Sequence, residues 1–301
     1  IFLKCFDFVN TLENRYSKEN QMIKSNYSIK LNKRVKIGNT LVGKDCKPFI
    51  IAEVGLNHNG DVKLAKELIL QAKLVGCDAV KFQTFTANSR VSKNYRSANF
   101  AEKADGLQED IHEMFERLSL NPKQNKEIFQ YAKKNKIEIF STPFSISDVE
   151  QLEKLKVKFY KTASVDLVNL ELIERIGKTG KPLILSTGMS NLINIEEAIN
   201  KFKSTGNKNL ILLHCLSSYP ANESEMNLNA IKLLKKIYNI PVGLSDHYPN
   251  LNVSKLALGL GANIIERHFT IDKRLEGPDH ILSSTPEEFT DLNSLARNVN
   301  N

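Results

Sequence analysis

The stretch PFIIAEVGLNHNGDVKLAKELILQAKLVGCDAVKFQT, residues 48–84, decides the fold. It opens with an apolar, β-branched run at residues 48–54 and closes with a similar run at residues 78–84. Between them, apolar residues recur at helical spacing until Gly76, a residue that commonly ends helices. A strand, an amphipathic helix and a second strand form a βαβ unit, so this stretch predicts two parallel strands in one sheet.

The same alternation continues along the chain. Six further apolar runs follow: IEIFST (137–142), VKFYKTA (157–163), PLILST (182–187), LILLHC (210–215), IPVGLSD (240–246) and NIIERHF (263–269). Asn121-Pro122 and Thr285-Pro286 each join a capping residue to a first-turn proline, and both predict helix starts. Eight rounds of strand and helix close naturally into a cylinder, so we predict an α/β protein with a (β/α)8 TIM-barrel fold.

The segment before the first strand has a different pattern. In VKIGNTLVG, residues 35–43, a Gly38-Asn39 turn joins two short alternating runs, which predicts a β-hairpin that caps the barrel floor. We expect residues 35–301 to form the barrel domain. Residues 1–34 are expected to be an N-terminal extension, with Met22 as the start of the natural chain.

Composition excludes several classes of protein. A chain of 301 residues with 41% hydrophobic residues can bury a sizeable core, and no apolar run approaches the roughly 20 residues that cross a bilayer. We therefore expect a cytoplasmic protein without a membrane partner. The four cysteines lack CxxC spacing, which argues against a disulfide scaffold or a zinc finger.

The net charge of +8 raises the question of a nucleic-acid partner. The lysines are dispersed over segments that resemble solvated helix surfaces, and no basic tract is interleaved with aromatic residues. We expect no nucleic-acid binding. The positive charge instead favours small anionic substrates.

Polar residues end nearly every predicted strand, and in a TIM barrel the active site lies at the carboxyl ends of the strands. The candidates are Glu53, Lys81, Gln83, Thr142, Lys161, Ser164, Ser186, Ser217, Tyr219, Ser245, His247, Glu266 and His268. All should face one mouth. The loop at residues 86–110 is long and polar, which predicts a segment that covers the substrate.

His247 and His268 end neighbouring predicted strands, each beside a carboxylate. Each could be a hydrogen-bonded structural histidine. Their placement as a pair favours a shared divalent cation. With only two imidazoles and otherwise oxygen donors, the site should be open and should suit Mn²⁺ or Mg²⁺ rather than a closed structural zinc.

Lys81 and Lys161 lie within otherwise apolar runs. They could extend past the strand ends to solvent, or they could point into an anion-filled mouth. In the second case, they would form a cradle for a phosphate and a carboxylate with the hydroxyls of Thr142, Ser164, Ser186 and Ser245. Because the chain has no Walker-type loop and no GxGxxG, a nucleotide is not indicated.

Three further residues have open roles. Glu53 could act as a base, bind sugar hydroxyls or pair with one of the lysines. His58, in the NHNG turn, is expected to make a loop-stabilising hydrogen bond. Asp279, in EGPDH, either caps its own turn or lies over the barrel mouth.

The motifs IAEVGLNHNG, VKFQT, FSTPFS, YKTAS, LSTGMS, LLHCLSSYP, GLSDH, ERHFT and EGPDH resemble those of the sialic acid synthase family. These enzymes condense phosphoenolpyruvate with N-acetylmannosamine or a related hexose. The resemblance extends over roughly residues 35–292 in unbroken order. It implies that His247 and His268 hold the metal, which binds the aldehyde oxygen of the open-chain sugar.

The resemblance also implies roles for the other strand-end residues. The phosphoenolpyruvate ligands would be Lys81, Thr142, Lys161, Ser164, Ser186 and Ser245. Glu53, Gln83, Tyr219 and Asp279 would orient the sugar, Ser217 would contact it, and Glu266 would lie beside the metal. Glu53, Glu266 and Asp279 are thus the catalytic candidates.

The implied chemistry joins C3 of the enol phosphate to the aldehyde carbon. Water then adds at C2, and the tetrahedral intermediate loses inorganic phosphate to leave a nine-carbon 2-keto acid. A catalytically silent binding protein and a metal-dependent hydrolase on the same barrel remain alternatives.

The chain departs from the family pattern at two places. Members usually continue into an antifreeze-like domain that covers the partner's site in a homodimer; here it is absent, so we expect a fragment. Ser217 stands where the N-acetylneuraminate enzymes often have asparagine, which leaves the acceptor sugar open.

Overall fold

The computed structural model describes residues 29–92, 110–218 and 221–299. Tyr219 and most of the predicted covering loop therefore lie outside the described residues. The chain divides into a unit that ends at Lys30 and a unit that begins at Leu31. The hairpin, the barrel and the candidate site all belong to the second unit.

A two-stranded antiparallel hairpin comes first. β1 (Arg34–Ile37) pairs with β2 (Thr40–Gly43), and Gly38 adopts a positive φ of 58° in the turn between them. Such a φ is strained for residues with a side chain, which is why glycine suits this position. The predicted hairpin is confirmed.

Eight parallel strands follow the hairpin. They are β3 (Phe49–Gly55), β4 (Ala79–Thr84), β5 (Glu138–Pro143), β6 (Tyr160–Thr162), β7 (Leu183–Ser186), β8 (Leu210–Cys215), β9 (Val242–Asp246) and β10 (Ile264–His268). They lie in the order β5-β4-β3-β10-β9-β8-β7-β6. Because β5 and β6 also lie side by side, the sheet curls into a nearly closed barrel. The predicted (β/α)8 TIM barrel is confirmed.

Helices connect the strands. They are α1 (Val62–Leu74), α2 (Ala87–Arg90), α3 (Ile111–Leu118), α4 (Pro122–Lys134), α5 (Ile146–Lys154), α6 (Leu170–Gly177), α7 (Leu192–Ser204), α8 (Asn229–Tyr238), α9 (Asn252–Gly259) and α10 (Pro286–Asn298). Asn121 caps α4 and Thr285 caps α10, each in a capping box followed by proline, as predicted. None of the helices within the described ranges is long and apolar enough to span a membrane.

The barrel interior has an apolar lower half. Val35, Ile37 and Val42 of the hairpin pack against interior residues near the strand starts, among them Phe49 and Phe140. The hairpin therefore closes the barrel floor, as predicted. Since side chains alternate along a strand, the inward positions above Ile51 and Ala79 are Glu53 and Lys81. The interior thus changes from apolar to charged towards the carboxyl ends of the strands.

Candidate active site

Two buried lysines share one glutamate at the barrel mouth. Lys81 and Lys161 are 4% and 3% exposed, so their ammonium groups do not extend to solvent. Glu266 Oε1 lies 3.4 Å from Lys81 Nζ and 3.2 Å from Lys161 Nζ, and Glu53 Oε2 lies 3.1 Å from Lys81 Nζ. Of the two interpretations of the lysines, the inward-pointing one is confirmed.

The two carboxylates differ in protonation. Burial alone would raise the pKa of Glu266, but Lys161 and Lys81 outweigh it and hold this pKa below its usual range. Burial raises the pKa of Glu53; Lys81 opposes the shift and the charge of Glu266 reinforces it. Glu266 is therefore ionised at neutral pH, whereas Glu53 can retain a proton near neutral pH.

The two lysines differ in the same way. Burial would lower the pKa of Lys81, but Glu266 and Glu53 raise it above its ordinary value. Burial lowers the pKa of Lys161, and Glu266 compensates only in part. Lys161 is therefore the less well neutralised cation, and an anionic ligand would stabilise it most.

Hydroxyl groups surround this charge cluster. Lys81 Nζ donates to Thr142 Oγ1 at 3.3 Å, and Ser245 Oγ donates to Glu266 Oε1 at 3.2 Å. Ser186 Oγ is buried without a hydrogen-bond partner within the described part of the chain. A buried polar atom of this kind calls for a partner such as a ligand.

Ser164 and Ser217 converge on Gly188. The Gly188 N–H donates to Ser164 Oγ at 3.2 Å. A Cβ atom at position 188 would lie 2.5 Å from Ser217 Oγ and 2.7 Å from Ser164 Oγ. Only glycine therefore leaves room for both hydroxyls beside the mouth.

His247 and His268 lie at the same end of the barrel. They are 6% and 7% exposed, and their ring centres are 5.4 Å apart with an interplanar angle of 50°. Asp279 Oδ2 lies 3.5 Å from His268 Nδ1, and the Leu216 carbonyl oxygen lies 3.3 Å from His247 Nδ1. Burial, with the nearby His247 and Lys81, lowers the pKa of His268 well below its usual value, which keeps this imidazole neutral.

A divalent ion shared by the two imidazoles would require a particular separation of the rings. Two imidazoles that bind one ion through nitrogen at about 2.1 Å have ring centres on the order of 5 Å apart, close to the separation found here. Among the residues that the structure covers, no three His, Cys, Asp or Glu side chains form a cluster that could hold a metal. An ion held by these two imidazoles alone would take its remaining ligands from oxygen atoms of water or substrate.

Glu53, Gln83 and Asp279 line the rest of the mouth. Gln83 Nε2 donates to Glu53 Oε1 at 3.0 Å. Burial raises the pKa of Asp279 to about 6. Ser283 Oγ donates to the Asp279 carbonyl at 2.6 Å and contacts Asn57 Nδ2 at 2.7 Å, which ties the loop of Asp279 to the segment after β3.

The remaining predicted position outside this cluster is His58. It makes the predicted loop contact, since the Gly60 N–H donates to its Nδ1 at 3.0 Å. The structure thus brings together every described residue that the sequence assigned to the site.

Sequence patterns missed three neighbours of the site. Arg90 lies over the rings of Phe85, Phe115 and Phe144, at 5.5, 4.7 and 3.8 Å from their centres. Burial raises the pKa of Asp279, and the charge of Arg90, after that of His247, opposes this rise. Arg90 follows β4 by several residues, so no strand-end pattern marks it.

Cys215 and Arg267 are the other two. Cys215 Sγ lies 3.9 Å from His247 Nδ1, and although burial raises the pKa of this thiol, His247 lowers it to about 7. Arg267 is 2% exposed inside the run NIIERHF. The sequence did offer a signal for Arg267, because a charged residue at an outward position of an otherwise apolar strand needs a buried partner.

A parallel barrel with charged, hydroxyl and imidazole groups at its carboxyl end defines a TIM-barrel enzyme. The NeuB family model matches residues 68–301, so the chain belongs to the NeuB family. It is 45% identical over 85% of its length to an uncharacterized protein of Methanocaldococcus jannaschii, covering 72% of that protein. It is 43% identical over 84% of its length to the N,N'-diacetyllegionaminic acid synthase of Campylobacter jejuni, covering 76% of that enzyme.

A solved structure agrees with these matches. The N-acetylneuraminic acid (sialic acid) synthetase of Leptospira borgpetersenii, crystallised in complex with citrate, superposes with a TM-score of 0.81 at 33% identity, and the match covers 90% of each chain. The family that the sequence motifs indicated is therefore confirmed. The chain is an enzyme of the sugar-acid synthase kind.

Proposed function

We propose that this enzyme condenses phosphoenolpyruvate with a 2-acetamido hexose to give a nine-carbon 2-keto sugar acid and inorganic phosphate. The observation that carries the proposal is the pair of buried lysines, Lys81 and Lys161, which share the single carboxylate of Glu266 at 3.4 and 3.2 Å. Two buried cations, with the unsatisfied hydroxyl of Ser186 at the end of the neighbouring strand, are suited to a small, highly charged anion. The names of the similar enzymes support a sugar acid as the product.

The anion would bind between the lysines and the surrounding hydroxyls. Ser186 Oγ, which has no hydrogen-bond partner among the described residues, would donate to it. Thr142 and Ser245 bond to this charge cluster, and Ser164 accepts from the Gly188 N–H. The three hydroxyls would complete the cradle. Binding requires that Glu266 share the lysines with the ligand.

The sugar would lie towards Glu53, Gln83 and Asp279. Carboxylate and amide groups bind hydroxyls in both donor and acceptor directions. Ser217 follows β8. It would contact the acetamido group, and Tyr219, two residues later in the sequence, would do so as well. Since the side chain of Ser217 is short, it leaves room for a substituent larger than a hydroxyl.

His247 and His268 would hold Mn²⁺ or Mg²⁺. When bound, such an ion supplies Lewis-acid polarisation of the aldehyde oxygen.

The residues of this chain would then align C3 of phosphoenolpyruvate with the aldehyde carbon and transfer protons. C3 of phosphoenolpyruvate attacks the aldehyde carbon, and a proton held by Glu53 passes to the aldehyde oxygen as it becomes a hydroxyl. Water adds at C2 and gives one proton to the Glu53 carboxylate, which restores its acid form. Inorganic phosphate then leaves by cleavage of the C2–O bond and takes the proton of the C2 hydroxyl, which leaves the 2-keto group. Lys81 and Lys161 stabilise the phosphate while the charge develops.

The test follows phosphate release with Mn²⁺, phosphoenolpyruvate and a panel of 2-acetamido and diacetamido hexoses. We expect release only when both substrates are present. The name of the Campylobacter jejuni relative favours an acceptor with two acetyl groups. Phosphate release from phosphoenolpyruvate alone would show that the protein is a hydrolase. If no sugar in the panel supports phosphate release, the result would favour a catalytically silent binding protein.

A matched pair of variants strengthens the test. Lys161→Met should lower kcat/KM by at least about 100-fold, because it removes one of two charges from the phosphate site. Lys158→Met changes a lysine on the same segment whose side chain is 51% exposed and pairs with Glu138. Turnover in that control should stay within about twofold of wild type.

A further inference from the structure

Arg267 occupies an unusual position between two site residues. In β10 it lies between Glu266 and His268, but strand alternation directs its side chain away from the barrel interior. Its guanidinium pairs with Asp246 at 2.5 Å, and the two side chains are 1% and 0% exposed. This ion pair lies behind the strand ends that carry the two imidazoles.

The guanidinium and Asp246 hold the backbone on both sides of His247. Arg267 donates from a terminal nitrogen to the Tyr248 carbonyl at 2.8 Å. Asp246 Oδ1 accepts from the Tyr248 N–H at 2.9 Å, and its other oxygen accepts from the hydroxyl of Ser254. The residues before and after His247 are thus fixed to one buried charge pair.

The same guanidinium reaches the backbone of His268. Arg267 Nε donates to Ser284 Oγ at 2.9 Å. The Ser284 N–H in turn donates to the His268 carbonyl at 2.8 Å, and the Ser284 carbonyl accepts from the Thr270 N–H at 3.0 Å. One arginine therefore connects the chain segments that carry both imidazoles.

We propose that Arg267 and Asp246 are positioning residues that set the separation of His247 and His268 for metal binding. The proposal rests on the proposed function, in which these imidazoles hold the divalent ion. A buried ion pair is often no more stabilising than apolar residues of similar size. The fixed hydrogen-bond directions of a guanidinium, in contrast, define the relative placement of three chain segments.

The test measures Mn²⁺ affinity directly, by electron paramagnetic resonance of the free ion, in protein without substrates. Arg267→Met should weaken Mn²⁺ binding about 10-fold, the low end of the effect of removing outer-shell support from metal ligands. Its affinity for phosphoenolpyruvate, measured calorimetrically without metal, should stay within about twofold, because Lys81 and Lys161 lie on other strands. A residue with only a general structural role would weaken both.

Arg297→Met is the matched control. Arg297 also pairs with an aspartate, Asp78, at 2.8 Å, but it donates to the Pro48 carbonyl at the opposite end of the barrel. Both affinities should be unchanged in this variant. Arg267→Lys, which keeps the charge but cannot reach three acceptors in one plane, should fall between wild type and Arg267→Met.

If Arg267→Met does not fold, the double variant Asp246→Leu/Arg267→Met removes both charges together and avoids an unpaired buried ion. In this protein, the Cε1–H NMR signals of both histidines should shift and the Mn²⁺ affinity should fall. Unchanged signals with native Mn²⁺ affinity in any folded Arg267 variant would overturn the positioning role alone. If wild type fails to bind Mn²⁺, or if His247→Ala/His268→Ala binds it equally well, the metal assignment and the inference both fall.

Discussion

Replacing Glu266 with glutamine removes the negative charge that both buried lysines share. At 3.2 and 3.4 Å, each lost attraction is worth about 5 kcal/mol at an effective dielectric constant near 20. Lys81 regains part of the lost electrostatic stabilisation from Glu53. Glu53, freed from the repulsion of Glu266, ionises more fully at 3.1 Å from Lys81.

Lys161 carries the remaining loss, because Glu266 is its one ion-pair partner among the residues with assigned positions. Leaving a buried ion unpaired costs about 3 to 5 kcal/mol. We expect the lower figure for Glu266→Gln at pH 7.5, since Lys161 can lose its proton in part.

Urea denaturation in anion-free buffer measures this change. The control is Glu138→Gln, which breaks a pair with Lys158 whose side chains are 21% and 51% exposed, and it should cost less than about 1 kcal/mol. Added phosphoenolpyruvate should raise the urea midpoint of Glu266→Gln more than that of wild type, because the anion replaces the missing charge.

The pH dependence provides an independent check. The pKa of Lys161 is already lower in the folded protein than its ordinary value, through burial, and the substitution lowers it further. Between the folded and unfolded pKa values the unfolded chain binds more protons, so stability rises with pH. The deficit of Glu266→Gln should therefore shrink as the pH approaches 10. A loss under about 1 kcal/mol, or one that neither pH nor the anion changes, would refute the reasoning.

Two further predictions concern glycine and helix capping. Gly188→Ala should raise the KM for phosphoenolpyruvate at least about 10-fold, because the new Cβ would displace the hydroxyls of Ser164 and Ser217; Gly259→Ala, in open space at the end of α9, should leave KM unchanged in the same phosphate-release assay. Asn121→Ala should lower the free energy of unfolding by about 1 kcal/mol, because it removes the side chain that accepts two N–H groups at the start of α4; an unchanged urea midpoint would contradict this.

Local patterns predicted the elements well because burial of a strand or of one helix face leaves a periodic record in nearby residues. The run at residues 182–187 became β7 (Leu183–Ser186), and the run at residues 263–269 became β10 (Ile264–His268). The run at residues 157–163 was too long, since only Tyr160–Thr162 pairs in the sheet. In this run, apolar residues already occur before the first residue that pairs in the sheet. Burial alone therefore overestimates the length of the strand.

Most of the candidate site was also predictable, since all parallel strands of a barrel end on the same side. The hydrogen-bond and ion-pair partners of each side chain could not be predicted from the sequence. Glu53 had three open roles in the sequence, and its pairing with Lys81 follows from the register of β3 with β4. The roles of these residues in catalysis remain predictions.

The sequence by itself determined the alternation of strands and helices, the hairpin, the family and the set of polar residues at the mouth. Only the tertiary structure decided that Glu266 lies between two lysines, that Arg267 connects both histidine segments and that Ser186 has a buried hydroxyl without a partner in the described chain. The reason is physical. Hydrophobic periodicity acts between near neighbours in the chain, whereas the energy of a charge depends on distances and burial that exist only after the barrel closes.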